Sequence, residues 1–477
     1  MGVSLSKHHA RRVGKVPTVP RTDLTSILPT EIWENILEFI AGDHGGTKTL
    51  KAFSLISRLG CIWVRPLLFR TLFIYCSSHR KDYFEKLHQV LVAPDSISHL
   101  VHDLILYGFP GAKFQKPPPA PLSVQMLSCI LAALPNLRNL EIKNVKLVVE
   151  TETTSSIPVK VKYLDRLTLH CIFYTLPKSP HEQCPAAVII RLLGVFGKVA
   201  QFSFNTESYA SCDCVERTFE DLAHQWLTDE YHRRVLEAHP VLDSHLAVTS
   251  LDLSQVYDTR KSVSQLLLKT IQHTPSVHSL TSLSMCCDHP RKIVAHGELV
   301  RCCAPRLIEC EISLRIGSMF AASAWQHLAL TECTSLKALT MVIDVICDDY
   351  MGSRIGLEAF LGVLSFTHLD SLEDITLRMN LSSVSANRGL AAAQGLIGSP
   401  THGINWANLR QILRRCTRIK NLNFDVTIQL GIGTYHSNYP RHPAPPDLVG
   451  WVDKEMQTEL AEWHEKKVLH ITTSMLK

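Results

Sequence analysis

Residues 262–285, SVSQLLLKTIQHTPSVHSLTSLSM, carry two periodicities end to end. SVSQLLLKTIQH has the apolar spacing of an amphipathic helix, and Thr274 and Pro275 then punctuate the chain. Leu280, Leu283 and Met285 follow in the pattern apolar-x-x-apolar-x-apolar, a turn leading into a short strand. The pattern fits eight other places: Leu137/Leu140/Ile142, Leu164/Leu167/Leu169, Val199/Phe202/Phe204, Val248/Leu251/Leu253, Leu307/Cys310/Ile312, Leu336/Leu339/Met341, Leu372/Ile375/Leu377 and Ile419/Leu422/Phe424. Successive starts lie 27, 35, 49, 32, 27, 29, 36 and 47 residues apart, so some units carry insertions. Helical patterns precede many of them: VQMLSCILAAL, AVIIRLLGVF, LEAFLGVLSF and NLRQILRRC. One such unit cannot cover its own apolar side, and stacked neighbours supply the core. An open α/β sheet would also alternate, but no glycine-rich phosphate loop follows any strand.

This recurrence resembles a degenerate leucine-rich repeat array. Side chains alternate across a strand, so the residues between the apolar ones are expected on a shared concave surface. The candidates to face a bound protein are Glu141, Arg166, His170, Asp252, Glu309, Glu311, Arg378 and Asn423. They are polar and mixed in sign, which suits a protein ligand better than a phosphate backbone.

Towards the amino terminus, residues 27–75 read ILPTEIWENILEFIAGDHGGTKTLKAFSLISRLGCIWVRPLLFRTLFIY. Ile32, Trp33, Ile36, Leu37 and Ile40 form an apolar stripe on a short helix, and Pro29 suits its first position. Gly42, Gly45 and Gly46 stop that helix. Two more apolar sets follow, Leu50, Phe53, Leu55, Ile56 and Leu59, then Ile62, Trp63, Leu67, Leu68 and Phe69. Three such helices hold too little interior for this much apolar surface.

On Leu28-Pro29-Thr30-Glu31-Ile32, Ile36-Leu37 and Leu55-Ile56-Ser57-Arg58, the segment resembles an F-box, with GDHGGTKTL between the first two helices and Gly60 standing where a Trp is usual. The resemblance implies docking on the Skp-type adaptor and cullin scaffold of an SCF ubiquitin ligase, with the repeat domain holding a protein substrate. The implied adaptor contacts are Leu28, Pro29, Ile32, Ile36, Leu37, Leu50 and Leu55. The expected fold is therefore α/β, an amino-terminal three-helix F-box followed by an irregular leucine-rich-repeat-like α/β solenoid. A repeat scaffold without ubiquitin transfer is the rival reading.

The expected divisions are a basic tail (1–23), the F-box-like helices (24–75), the solenoid (76–437), a proline-rich linker (438–449) and a carboxy-terminal helix or cap (450–477). YFEKLHQVLVA reads as a helix with Phe84, Leu87, Val90 and Leu91 on one side, and HLVHDLILYGF as a strand. Prolines 117–119 and 121 mark a connector. Hydrophobic content of 45% and charged content of 19% fit a folded chain. Lys7, Arg11, Arg12, Lys15 and Arg21 carry the formal charge of +5, so the remaining body is neutral and no nucleic-acid partner is expected. Met1-Gly2-Val3-Ser4-Leu5-Ser6 fits a myristoylation pattern on Gly2, and membrane contact is expected only if Gly2 is acylated.

The 15 cysteines include Cys129, Cys171, Cys310 and Cys333 in apolar contexts, which suits reduced thiols in cytoplasm or nucleus. Cys212, Cys214, Cys286, Cys287, His289, Cys302 and Cys303 lack the spacing of a structural zinc site, so no metal is expected. Asp348-Asp349 reads as a solvated turn. No nucleophile elbow, HExxH, Walker loop or kinase signature accompanies the 24 histidines. The expectation is a binding protein with no catalytic residue and no cofactor.

Overall fold

The computed structural model describes residues 29–43, 45–76, 83–108, 121–148, 162–170, 173–174, 191–205, 246–254, 263–288, 290–314, 322–346, 350–383, 397, 404–430 and 448–476. The basic tail with Gly2, Leu28, both expected proline connectors (117–119 and 438–447), Cys171, Cys212, Cys214, His289 and Asp348-Asp349 lie outside these residues. The chain forms two compact units, Met1–Thr71 and Leu72–Lys477.

The first unit holds helices α1 (Thr30–Gly42), α2 (Gly46–Ser54) and α3 (Arg58–Phe69). Pro29 caps α1 from one position outside, not from its first turn; its carbonyl accepts from the amides of Ile32 (3.1 Å) and Trp33 (3.3 Å). Leu37, Leu50 and Val64 contribute one buried side chain per helix, and Ile40, Phe53, Trp63, Leu67 and Leu68 pack around them. Trp33 lies 5.6 Å from the ring of Phe53 and 6.0 Å from that of Trp63, joining all three helices. Gly45 enters α2 at φ +98°, and a Cβ on Gly46 would fall 1.7 Å from the carbonyl oxygen of Ile40. The α1–α2 crossing is that close because position 46 has no side chain. Ser57 caps α3, its Oγ accepting from the amide of Gly60 at 2.9 Å.

The second unit is α/β. Its strands, in chain order, are β1 (Thr71–Cys76), β2 (Asp103–Gly108), β3 (Pro121–Ser123), β4 (Asn139–Lys143), β5 (Lys146–Val148), β6 (Lys162–His170), β7 (Phe173–Tyr174) and β8 (Phe196–Asn205). They continue as β9 (Ala247–Leu253), β10 (Ser282–Cys287), β11 (Glu309–Leu314), β12 (Ala338–Ile346), β13 (Asp374–Ser383), β14 (Asn421–Leu430) and β15 (Leu469–Leu476). Twelve form one sheet in the order β1-β2-β4-β6-β8-β9-β10-β11-β12-β13-β14-β15, while β3-β5-β7 form a smaller one. The order never reverses, and every neighbouring pair from β2 to β15 is parallel.

All nine strands expected from the apolar pattern lie in this sheet, and their apolar positions are in register. One row runs Leu104, Leu140, Leu167, Phe202, Leu251, Leu283, Cys310, Leu339, Ile375 and Leu422; a second runs two residues further along each strand. Both rows are buried with the helices in one core. The turns before six of the strands, β4, β6 and β11 to β14, repeat a hydrogen-bond device. The carbonyls of His102, Arg138, Thr281, Ile308, Lys337 and Glu373 each accept from two successive amides of the next strand in the sheet. Helices such as Val263–Gln272, Pro290–Cys303, Tyr350–Ser365 and Trp406–Arg415 connect strands, as parallel neighbours require.

Several local expectations change. The carboxy-terminal segment is two helices, Leu448–Glu459 and Ala461–Glu465, followed by β15, because Lys467 at φ +59° turns the chain and LHITTSML is rich in strand formers. Phe196, expected in a helix, opens β8. Val90 is exposed although its helix, Tyr83–Val92, forms as expected. Residues 71–76, placed with the helices by sequence, are strand β1.

Leu339 on β12 is fully buried, with Cys310 and Ile375 opposite it on the flanking strands. Leu339→Ala is expected to destabilise the second unit by about 2–5 kcal/mol through the cavity it leaves. The adjacent outward change Thr340→Ala should cost less than about 1 kcal/mol. Urea denaturation of the two variants checks the contrast.

Candidate functional site

Each unit presents one surface that its own packing leaves unused. On α1 the inward side is Trp33, Leu37 and Ile40. Ile32, Ile36 and Phe39, spaced by four and three, lie on the adjacent side with exposures of 43%, 38% and 82%. Leu55 and Ile56, between α2 and α3, are 86% and 75% exposed; Leu59 and Ile62 on α3 are also exposed. A folded domain rarely leaves so many large aliphatic side chains in water without a partner for them.

Of the residues expected to contact an adaptor, Pro29, Ile32, Ile36 and Leu55 are on the surface. Leu37 and Leu50 are not: both are about 2% exposed, because together with Val64 they form the centre of the three-helix unit, with Ile40, Phe53, Trp63, Leu67 and Leu68 packed around them. Phe39, Ile56, Leu59 and Ile62 were not named from sequence as contacts. The signal for Phe39 was present, since apolar residues at 32, 33, 36, 37, 39 and 40 cover an arc too wide for one inward stripe.

The second surface is the sheet face turned away from the core. Its residues form three rows by strand register. Arg166 and Glu309 stand in the first row, Glu141, Asp252, Glu311 and Asn423 in the second, and His170 and Arg378 in the third. Arg166, Glu309 and Arg378 are exposed, and the four of the second row are half-buried. His170 is buried at the end of β6, where its carbonyl accepts from the amide of Asn144, so it is removed from the candidate surface.

Polar side chains bond across the strands: Asn139 Nδ2 to Asp103 Oδ1 (2.6 Å), Ser203 Oγ to Asp252 Oδ2 (3.1 Å) and Asn423 Nδ2 to Thr376 Oγ1 (3.1 Å). From β13, Arg378 reaches across β12 to Glu311 on β11 and sideways to Asp425 on β14, its guanidinium 3.3 Å from the first and 3.5 Å from the second. Partial burial pushes the Glu311 carboxyl up, against the pull of Arg378.

The described cysteines are free thiols, and Cys287, Cys303, Cys310, Cys333 and Cys416 are buried. Burial raises Cys303 and Cys333 to about 12, so these thiols are core side chains and poor nucleophiles. Among the described residues, no group of three or more His, Cys, Asp or Glu is placed to hold a metal, and no helix is long and apolar enough to cross a membrane. No protein-family model and no curated protein matches the chain.

The most perturbed histidine lies in the core, away from both surfaces. His296, on the helix Pro290–Cys303, is lowered to about 3, first by burial and then by the Lys292 ammonium one turn before it. Lys292 is itself buried and paired with Asp288 at 2.8 Å. In the unfolded chain a histidine takes up a proton near 6.5; in the folded state His296 refuses it down to about 3. Stability is therefore complete above pH 6.5 and falls through that window at up to about 1.4 kcal/mol per pH unit. His296→Gln should flatten this slope between about pH 6 and 4 in denaturant titrations; an unchanged slope contradicts the assignment.

Proposed function

We propose that this chain is the substrate receptor of an SCF-type ubiquitin ligase, with no catalytic role of its own. In this reading the first unit is an F-box that docks on the Skp-type adaptor, itself held by the cullin scaffold. The second unit is an irregular leucine-rich-repeat-like solenoid whose outward sheet face holds a protein substrate. The observation that carries the proposal is the α1 stripe of Ile32, Ile36 and Phe39, left in water although Leu37, Leu50 and Val64 already fill the unit's centre. Sequential parallel strands with helical connections support the solenoid reading. The buried free thiols suit a reducing compartment, cytoplasm or nucleus.

The mechanism is one of proximity. Holding a substrate and the ubiquitin-carrying enzyme on one scaffold replaces a bimolecular encounter with a local one, raising the effective concentration of a substrate lysine. The receptor then needs two independent surfaces and no reactive groups.

Ile32 and Ile36 are 43% and 38% exposed, so burying the remainder of each at an interface contributes about 1 kcal/mol, and an unpaired carboxylate in the same place costs several kcal/mol more. The double variant Ile32→Asp with Ile36→Asp should therefore weaken adaptor capture by at least about a hundredfold. Because both side chains already contact water, its thermal unfolding should stay close to wild type. A pull-down with purified adaptor, run beside circular-dichroism melts, checks this; a folded double variant that captures adaptor like wild type contradicts it.

A further inference from the structure

We infer that the outward sheet face of the second unit docks an extended protein segment with a bulky apolar side chain at one end and lysines or arginines at the other. This names the substrate chemistry of the face and rests on the receptor reading above. Two separate features of the face point to such an occupant.

At the β1–β4 end, Phe73 and Tyr75 flank the buried Ile74, so both rings stand on the outward side, 45% and 60% exposed. Their centroids are 4.6 Å apart, and Tyr107 on β2 completes the group at 6.1 and 5.7 Å. Lys143 Nζ lies 5.9 Å from the Tyr107 ring and closes one side. Exposed aromatic clusters of this kind supply large contact area with few rotors to immobilise, which is why such residues anchor interfaces.

Across β9–β14 the outward positions carry Asp252, Glu309, Glu311, Asp344, Asp374 and Asp425, with Arg378 as the single outward cation among the described residues. Arg378 already contacts Glu311 and Asp425. Lys337 and Lys420, at the starts of their strands, are taken up by Glu373. Packing requires neither feature: Asp252 and Glu311 flank Ser284 on the strand between them, a like-charge pair that disfavours the ionised face, and exposed rings leave apolar area in water. A segment with an apolar anchor and a cationic end offsets both costs at once.

Geometry sets the spacing. Six strand-to-strand steps separate β2 from β11, which at ~4.8 Å each is about 29 Å. An extended chain advances ~3.3 Å per residue and covers that span in about nine residues.

The probe is a fluorescent synthetic peptide with Leu-Trp at one end, a run of arginines at the other and about nine Gly and Ser residues between them. Anisotropy with the full chain should show saturable binding at about 0.15 M salt. Glu309→Gln with Glu311→Gln and Asp425→Asn should weaken it at least about tenfold, as should Phe73→Ser with Tyr75→Ser, each variant checked for native circular dichroism. A peptide with glutamates in place of the arginines should not bind. Absence of wild-type binding, equal binding by both variants, or equal binding of the glutamate peptide overturns the inference. So does light scattering that finds the face occupied by a second copy of the chain, in a dimer dissolved by the same substitutions. Adaptor capture is measured on the same preparations. Capture without peptide binding overturns this inference alone, whereas peptide binding without capture overturns the receptor reading alone.

Discussion

The second unit depends on one constraint, the register in which each parallel strand lies beside the next. A shift of one residue would turn Leu339 and Met341 to water and bury Thr340, so register and core are a single choice. The turns enforce it. A carbonyl such as that of Lys337 accepts from two successive amides at the following strand, which fixes where that strand begins. Because each strand takes its position from its neighbour, the connections can vary in length without disturbing the sheet. The 49-residue interval from β8 to β9 and the 27-residue interval from β10 to β11 both deliver the next strand to the same register.

That arrangement explains what was legible in the sequence. The apolar pattern is a direct image of the buried rows, and it located β4, β6 and β8 to β14 together with the polar rows between them. Two strands outside that set, β1 and β2, also carry the pattern, at Phe69/Leu72/Ile74 and Val101/Leu104/Leu106; the others lack its first apolar residue or its length. β15 is entered from Lys467 in a left-handed turn, and the three strands β3, β5 and β7 hold only two or three residues each. In the first unit the apolar residues were legible but their sides were not. Ile36 and Leu37 are adjacent in sequence and equally greasy, yet one faces water and the other the core. Which of two neighbouring apolar stripes turns inward is decided by where α2 and α3 cross α1, and the contact of Gly46 with Ile40 that sets the first crossing is tertiary. His170 failed for a similar reason, since alternation predicts the side of the sheet a residue occupies and not what covers it at a strand end.

The two units expose two kinds of surface chemistry. The first offers aliphatic side chains on short helices, suited to a preformed apolar groove. The second offers ordered polar rows on a rigid sheet, where cross-strand hydrogen bonds and the Arg378 bridge hold side chains in place before any partner arrives. Preorganisation of that kind favours selectivity, because a mismatched partner must break existing bonds before making its own. The strongly shifted groups, His296 and the buried thiols, lie in the core, where they bear on stability and redox inertness.

The central claim is that the α1 stripe is made for another protein. Amide hydrogen exchange of the intact chain, with and without purified Skp-type adaptor, tests it most directly. The account predicts slowed exchange in residues 30–42 and 55–62 on adding adaptor, with β9–β14 unchanged. No change in those helices at saturating adaptor, or protection confined to the sheet, would contradict it.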